Sequence, residues 1–425
     1  GVISLPTGKT PEHFIRWVTH VMSGWGTPEV VRELEANGID PGVKPDMASL
    51  HFVQIDEFYP IDPGQGNSFF SYVNKFYIEG FGLSPERALL MDCNEIGLLP
   101  GQTLSSVWPD GEVDLSLRNR AAQTALESTQ QQALMRIDQW CQQYEQRIRD
   151  LGGIGFFLGG IGPDGHIGFN VRGSDHFSTT RLTGVSYETQ AAAAGDLGGI
   201  EVARKRLVIT IGLGTIAYKR DACALVIAAG EAKAGIVADA VESDRDVSYP
   251  ATVLHGLPGA RFYITLGAAK LLERRQLDLL VRQEQVDDET AEKLVVDLAV
   301  ACNKQIDALT EADFADSEFA AALLERRSES VGELTQSVRN SLIAKIERGM
   351  DTMQDTRFLH TEPHHDDLML GYWPYIVRHT RPDSNVHYFV CLTGGFTAVT
   401  NQFICDHIER LRLFLDSADC ALLVD

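Results

Sequence analysis

The stretch Gly153–Asn170, "GIGFFLGGIGPDGHIGFN", decides the fold. Its first half is a short apolar run bounded by glycines, the pattern of a strand buried on both faces. Its second half is too rich in glycine for a helix, yet it carries Asp164 and His166. A buried strand ending in a loose turn with an acid and an imidazole suits an open parallel sheet, which binds ligands beyond the carboxyl ends of its strands.

Outward from that stretch, apolar runs alternate with helix-spaced segments from Gly1 to Leu272. The runs "VISL", "LHFVQI", "IGFFLGGI", "LVITIG", "ALVIAA" and "RFYIT" read as strands, and the segments between them as crossover helices. The expected fold class is therefore α/β: a doubly wound, mostly parallel sheet over residues 1–272. Residues 273–356 are charged and strand-poor and read as a helical connector. From residue 357 to residue 425 a strand, loop, helix, strand pattern restarts, as expected of a partial second α/β domain.

Composition narrows the function. Against 37 Lys and Arg stand 59 Asp and Glu, a formal charge of −22. That field repels nucleic acid and anionic membranes, so neither is an expected partner. An anionic small molecule remains open, because local donors outweigh the global field within a Debye length of about 8 Å. Seven cysteines without a CxxC pair argue against a disulfide framework and fit a reducing cytoplasm. No run of about 18 uncharged apolar residues occurs, and a signal peptide ahead of the first motif is not expected.

Three strand ends carry chemistry. "LPTGKTP", Leu5–Pro11, lies between a strand and a helix, so its amides and Thr7, Gly8, Lys9 and Thr10 suit a phosphate; an ordinary βα turn with a Thr cap is the alternative. "FVQIDEFYP" places Asp56 and Glu57 at the end of an apolar run, where desolvation turns a carboxylate into a usable base; a solvated or capping acid is the alternative. In the opening stretch, Asp164 beside His166 would fix the imidazole tautomer for proton shuttling, unless the two only build a turn.

These motifs, with "IGLGT" and "AAGEAKAGIVADAVE", resemble in order and spacing the glucosamine-6-phosphate deaminase (isomerase) family over residues 2–272. The resemblance implies a fold shared with 6-phosphogluconolactonases, a homo-oligomeric cytoplasmic enzyme without a cofactor, and conversion of glucosamine 6-phosphate to fructose 6-phosphate plus ammonia. By motif, Asp56 is similar to the base that moves a proton between C2 and C1. Asp164 and His166 are similar to the ring-opening pair, and Thr7 to Thr10 with Lys233 to the phosphate site. Ser174 and Arg181 resemble an activator site, although Thr183 stands where regulated members carry lysine. Where the family reads "FNEPGS", this chain reads "FNVRGS", so Val171 replaces a relay glutamate. A non-catalytic sugar-phosphate sensor is therefore carried as an alternative. A 6-phosphogluconolactonase-like hydrolase is another, on the shared "GPDGH", although "HIGFN" and "LPTGKTP" point away from it.

"EPHHDDLMLG", Glu362–Gly371, with the later "VCLTGG", resembles the opening of the PIG-L/LmbE family of zinc-dependent N-deacetylases. The resemblance implies His364 and Asp367 as Zn²⁺ ligands and Asp366 as the base. Leu368 replaces the usual glutamate, and the third ligand would lie beyond Asp425, so the whole resembles a two-enzyme fusion cut short.

Overall fold

A computed structural model describes residues 1–8, 10–187, 189–191, 200–364, 366–393 and 401–415. The chain divides into two compact units, residues 1–269 with 397–425, and residues 270–396.

The first unit is built on a six-stranded sheet. Its strands are β1 (Val2–Ser4), β2 (His51–Val53), β4 (Ala88–Leu89), β5 (Phe156–Gly160), β8 (Cys223–Ala228) and β9 (Arg261–Ile264). They lie in the order β4-β2-β1-β5-β8-β9, and every neighbouring pair is parallel. The chain starts in the middle, winds to one edge through β2 and β4, then returns to wind the other way from β5. The winding reverses between β1 and β5, so the crevice for a ligand opens between the ends of those two strands.

A smaller antiparallel sheet stands beside it: β3 (Asp56–Tyr59), β7 (Leu207–Thr210) and β6 (Arg181–Thr183), with Asp56 opposite Thr210 and Tyr59 opposite Leu207. "LVITIG" thus forms a strand, but outside the parallel sheet. An apolar run reports burial and not partners, which is why the sequence could not assign it.

The long helix Ala125–Asp150 begins where Thr124 accepts the Glu127 amide. It buries Leu134, Ile137, Cys141, Tyr144 and Ile148, one helical stripe against the sheet. Tyr144 reaches across to the Gln54 and Leu89 carbonyls, at 2.8 and 2.9 Å. It ties the helix to the chain just before Asp56.

In the second unit, the helices Glu273–Arg282, Asp288–Ala301, Glu318–Arg326 and Val331–Met350 surround a core that includes Leu280, Val295, Phe314, Leu323 and Leu334. The region read as a connector has a core of its own. It is followed by β10 (Arg357–Glu362) and β11 (Val386–Cys391), a parallel pair joined through the helix Asp367–Thr380.

Candidate active site

The ends of β1 and β5 and the start of β3 enclose a cavity of about 270 Å³, lined by Thr7, Thr10, Asp56, Phe69, Gly160, Gly162, His166, Phe169 and Lys233, among others. It sits at the winding reversal, where the topology puts it.

Asp56 opens β3, with two residues between it and the end of β2, and is only 6% exposed. Burial, then the charge of Glu57, raises its pKa well above the usual carboxylate range. Gln54 fixes its backbone with a 2.9 Å bond to the Asp56 carbonyl.

The glycine-rich loop after β5 is a pair of tight turns. Gly162 donates to the His166 carbonyl at 2.9 Å, and Asn170 ties the far end to Ile167 and Ile211 at 2.9 Å each. Gly165 has φ +83°, a conformation that favours glycine. These turns bring the Asp164 carboxylate onto His166 Nδ1. Burial alone would raise the Asp164 pKa, but the hydrogen bond and charge of His166 hold it below the ordinary range. Thr189 Oγ1 stands 3.3 Å from the same nitrogen, and the ring stacks on Phe169 with centroids 5.6 Å apart. With Nδ1 engaged, Nε2 is the nitrogen left for a ligand proton.

The cationic end is Lys233, immediately before the helix Ala234–Glu242. Its ammonium donates to the Ile161 carbonyl at 2.9 Å. Burial lowers its pKa, opposed by the Asp164 charge. Thr10 lines the cavity and does not cap the helix Glu12–Ser23, which starts without a side-chain cap. Gly8, at φ +83°, lies between the lining threonines, and its carbonyl accepts the Tyr72 hydroxyl at 2.9 Å. Tyr77 likewise donates to the Pro6 carbonyl, so two tyrosines anchor this loop. Lys9 lies outside the described residues.

Ser174 and Arg181 are brought together, apart from the cavity lining. Arg181 donates to Ser174 Oγ at 3.2 Å and to Asn170 Oδ1 at 2.9 Å. Val171 is half-buried, and its carbonyl accepts the Ser174 amide at 2.9 Å. Sequence reasoning missed Phe69 and Phe169, because an apolar residue lining a cavity has the same signature as one lining a core.

In the second unit, Asp367 accepts the His364 amide at 2.8 Å and Asp366 engages His364 Nδ1. A catalytic zinc takes three protein ligands. Among the described residues the one grouping of three metal-ligating side chains is His20, Glu29 and Glu33, far along the sequence from His364. His360 cannot serve, because its ring nitrogens meet Tyr372 at 3.0 Å and His387 at 2.8 Å. Among the described residues the donors do not fit a complete zinc site, and His365 lies outside those residues.

No family model matches the chain. A glucosamine-6-phosphate deaminase 1 of Giardia intestinalis is 33% identical over 133 residues, 31% of this chain and 49% of that protein. A glucosamine-6-phosphate deaminase of Bacillus velezensis is 25% identical over 253 residues, 57% of this chain and 88% of that protein. A solved monomeric glucosamine-6-phosphate deaminase covers 64% of this chain and 87% of its own, at 23% identity and a TM-score of 0.45. The chain spans about half the length of the Giardia relative it matches. By sequence, then, the chain is similar to glucosamine-6-phosphate deaminases.

Proposed function

We propose that the first unit isomerises and deaminates an amino sugar phosphate, turning glucosamine 6-phosphate and water into fructose 6-phosphate and ammonia. The observation that carries this reading is the meeting, in one cavity, of a buried carboxylate, an imidazole with its tautomer fixed, and an ammonium suited to phosphate. Lys233 with Thr7 and Thr10 holds the phosphate. His166 takes the proton of the anomeric hydroxyl on Nε2 and passes it to the ring oxygen, opening the sugar to its aldehyde. Asp56 removes the C2 proton and returns it to C1 while a proton passes from the nitrogen to the aldehyde oxygen, leaving an imine at C2. Water adds to that imine and ammonia departs.

A coupled assay for fructose 6-phosphate, with ammonia measured in parallel, tests the proposal. Product that disappears in Asp56→Asn supports it. Glucosamine 6-phosphate that binds without turnover would instead favour the sensor, the alternative suggested by the apolar Val171. A cytoplasmic homo-oligomer belongs to the same reading, and light scattering tests the assembly. For residues 357–425 the deacetylase resemblance stands as a proposal without a catalytic step, since His364 and Asp367 alone do not complete the metal's sphere.

A further inference from the structure

Asp56 and Glu57 are consecutive on a strand, so their side chains leave it on opposite faces. Asp56 faces the cavity, while Glu57 is fully buried behind it. The Glu57 carboxylate accepts four hydrogen bonds: from the amides of Phe58 and Phe69 at 3.0 Å, the amide of Phe70 at 2.6 Å and the Ser68 hydroxyl at 2.7 Å. No Lys or Arg pairs with it among the described residues. Three of those donors belong to the entrance of the helix Phe69–Val73, and Phe69 lines the cavity. Phe69 packs on Phe58 at 5.1 Å and on Phe169 at 6.1 Å, and Phe169 stacks on His166. A continuous line of contacts thus runs from Glu57 to the imidazole.

We propose that Glu57 is a positioning residue of the site: it seats Phe69 against the cavity and places a negative charge behind Asp56. The inference deepens the deaminase reading and rests on it for the role of Asp56. Burial raises the Glu57 pKa to about 7 against the pull of its four donors, so its charge comes and goes near neutrality. The ionisable groups around the pair are Cys93, whose thiol feels the Glu57 charge, and Tyr144 from the long helix, with His166 and Lys233 across the cavity. Two carboxylates so close titrate as a coupled pair.

The test is Glu57→Gln, which keeps the shape, removes the charge and turns an N–H group toward amides that need an acceptor. The acid limb of kcat for fructose 6-phosphate formation should move down by about one pH unit, as expected when a like charge is removed from a neighbouring acid. KM should rise several-fold as Phe69 loses its seat. An activity-independent arm follows the ¹³C-carboxyl resonance of Asp56, identified by its loss in Asp56→Asn, which should titrate lower in Glu57→Gln by the same amount. Should that variant not fold, Ser68→Ala removes one donor and keeps the carboxylate. It then protonates more readily, and Asp56 should shift in the same direction by less. A folded variant whose Asp56 titrates as in the wild type, with only a uniform fall in kcat, overturns the proposal. If the wild type makes no fructose 6-phosphate, the deaminase reading fails, while the Asp56 resonance still decides the role of Glu57.

Discussion

Gly162→Ala is the perturbation that the geometry defines most sharply. A Cβ built on Gly162 collides with the His166 ring at Cε1, Nδ1 and Nε2, and no other atom comes as near. The Gly162 backbone is outside the left-handed region, so alanine is tolerated there in itself. The contact is so deep that the ring must retreat by roughly 1 Å or more before ordinary carbon contact of about 3.5–4 Å is restored. A displacement of that size costs about 10²-fold, and complete loss of one general acid–base group costs about 10²–10⁴. Stability should fall by no more than about 2–3 kcal/mol: alanine at a compatible glycine gains about 0.4–1 kcal/mol, against about 1–3 kcal/mol for the disturbed His166–Asp164 hydrogen bond.

Gly165→Ala supplies the contrast. It sits at φ +83° and would meet only Ile236, at 3.7 Å, so it should cost about 1–2 kcal/mol of stability and leave the imidazole in place. The assay is kcat with melting temperature on the two variants, on His166→Ala and on the double variant Gly162→Ala/His166→Ala. If Gly162→Ala acts by displacing His166, the double variant should be no slower than the worse single one, within about threefold. Multiplied losses, or wild-type kcat in Gly162→Ala, would refute the assigned place of the imidazole.

Two further outcomes follow from the same cavity. Lys233→Met should raise KM for glucosamine 6-phosphate by about 10- to 100-fold and lower kcat much less, because a remote phosphate is held equally in ground and transition states; initial rates on both proteins check it, and an unchanged KM removes Lys233 from the site. Val171→Glu should raise kcat by about tenfold or more if the missing relay carboxylate is what limits turnover, whereas in a sensor the half-buried charge brings only a lower melting temperature; ammonia release and thermal unfolding read the two cases apart.

The centre of the parallel sheet was legible because β5 and β8 are largely buried and so read as unbroken apolar runs, "IGFFLGGI" and "ALVIAA". β3 was not, because "DEFY" mixes two acids with two aromatics and shows neither alternation nor an apolar run. β4 and β6, with two and three residues, are too short to carry a period. In the site, Asp56 was legible as an acid at the end of a buried run, and Asp164 and His166 as polar groups on a backbone rich in glycine. The fate of Glu57 was not: only the strand's alternation, known once β3 is known to be a strand, separates the acid in the cavity from the acid behind it. Phe69 depends on a further step, the Ser68 entrance that Glu57 holds.

On the proposed function, a chain of net charge −22 must bind an anion beside acidic groups, an electrostatic difficulty that the burial of Asp56 answers. With its pKa raised well above the usual range, Asp56 carries less negative charge in the empty cavity, and the phosphate meets Lys233 with weaker opposition. The same proton disables the base. The substrate supplies the remedy, because glucosamine carries an ammonium on C2, next to the proton that Asp56 must take. A positive charge within about 4–6 Å favours the ionised carboxylate and lowers its pKa by about 1–3 units. The sign follows: catalysis needs Asp56 ionised and is lost as pH falls through its pKa, which is higher in the free enzyme than in the complex. The acid limb of kcat/KM, which reports the free enzyme, should therefore lie above the acid limb of kcat by about one pH unit or more. Rates from pH 5 to 9 measure both limbs. Coincident limbs would mean that the ammonium does not sit near Asp56, and the proton would have to be taken by another group.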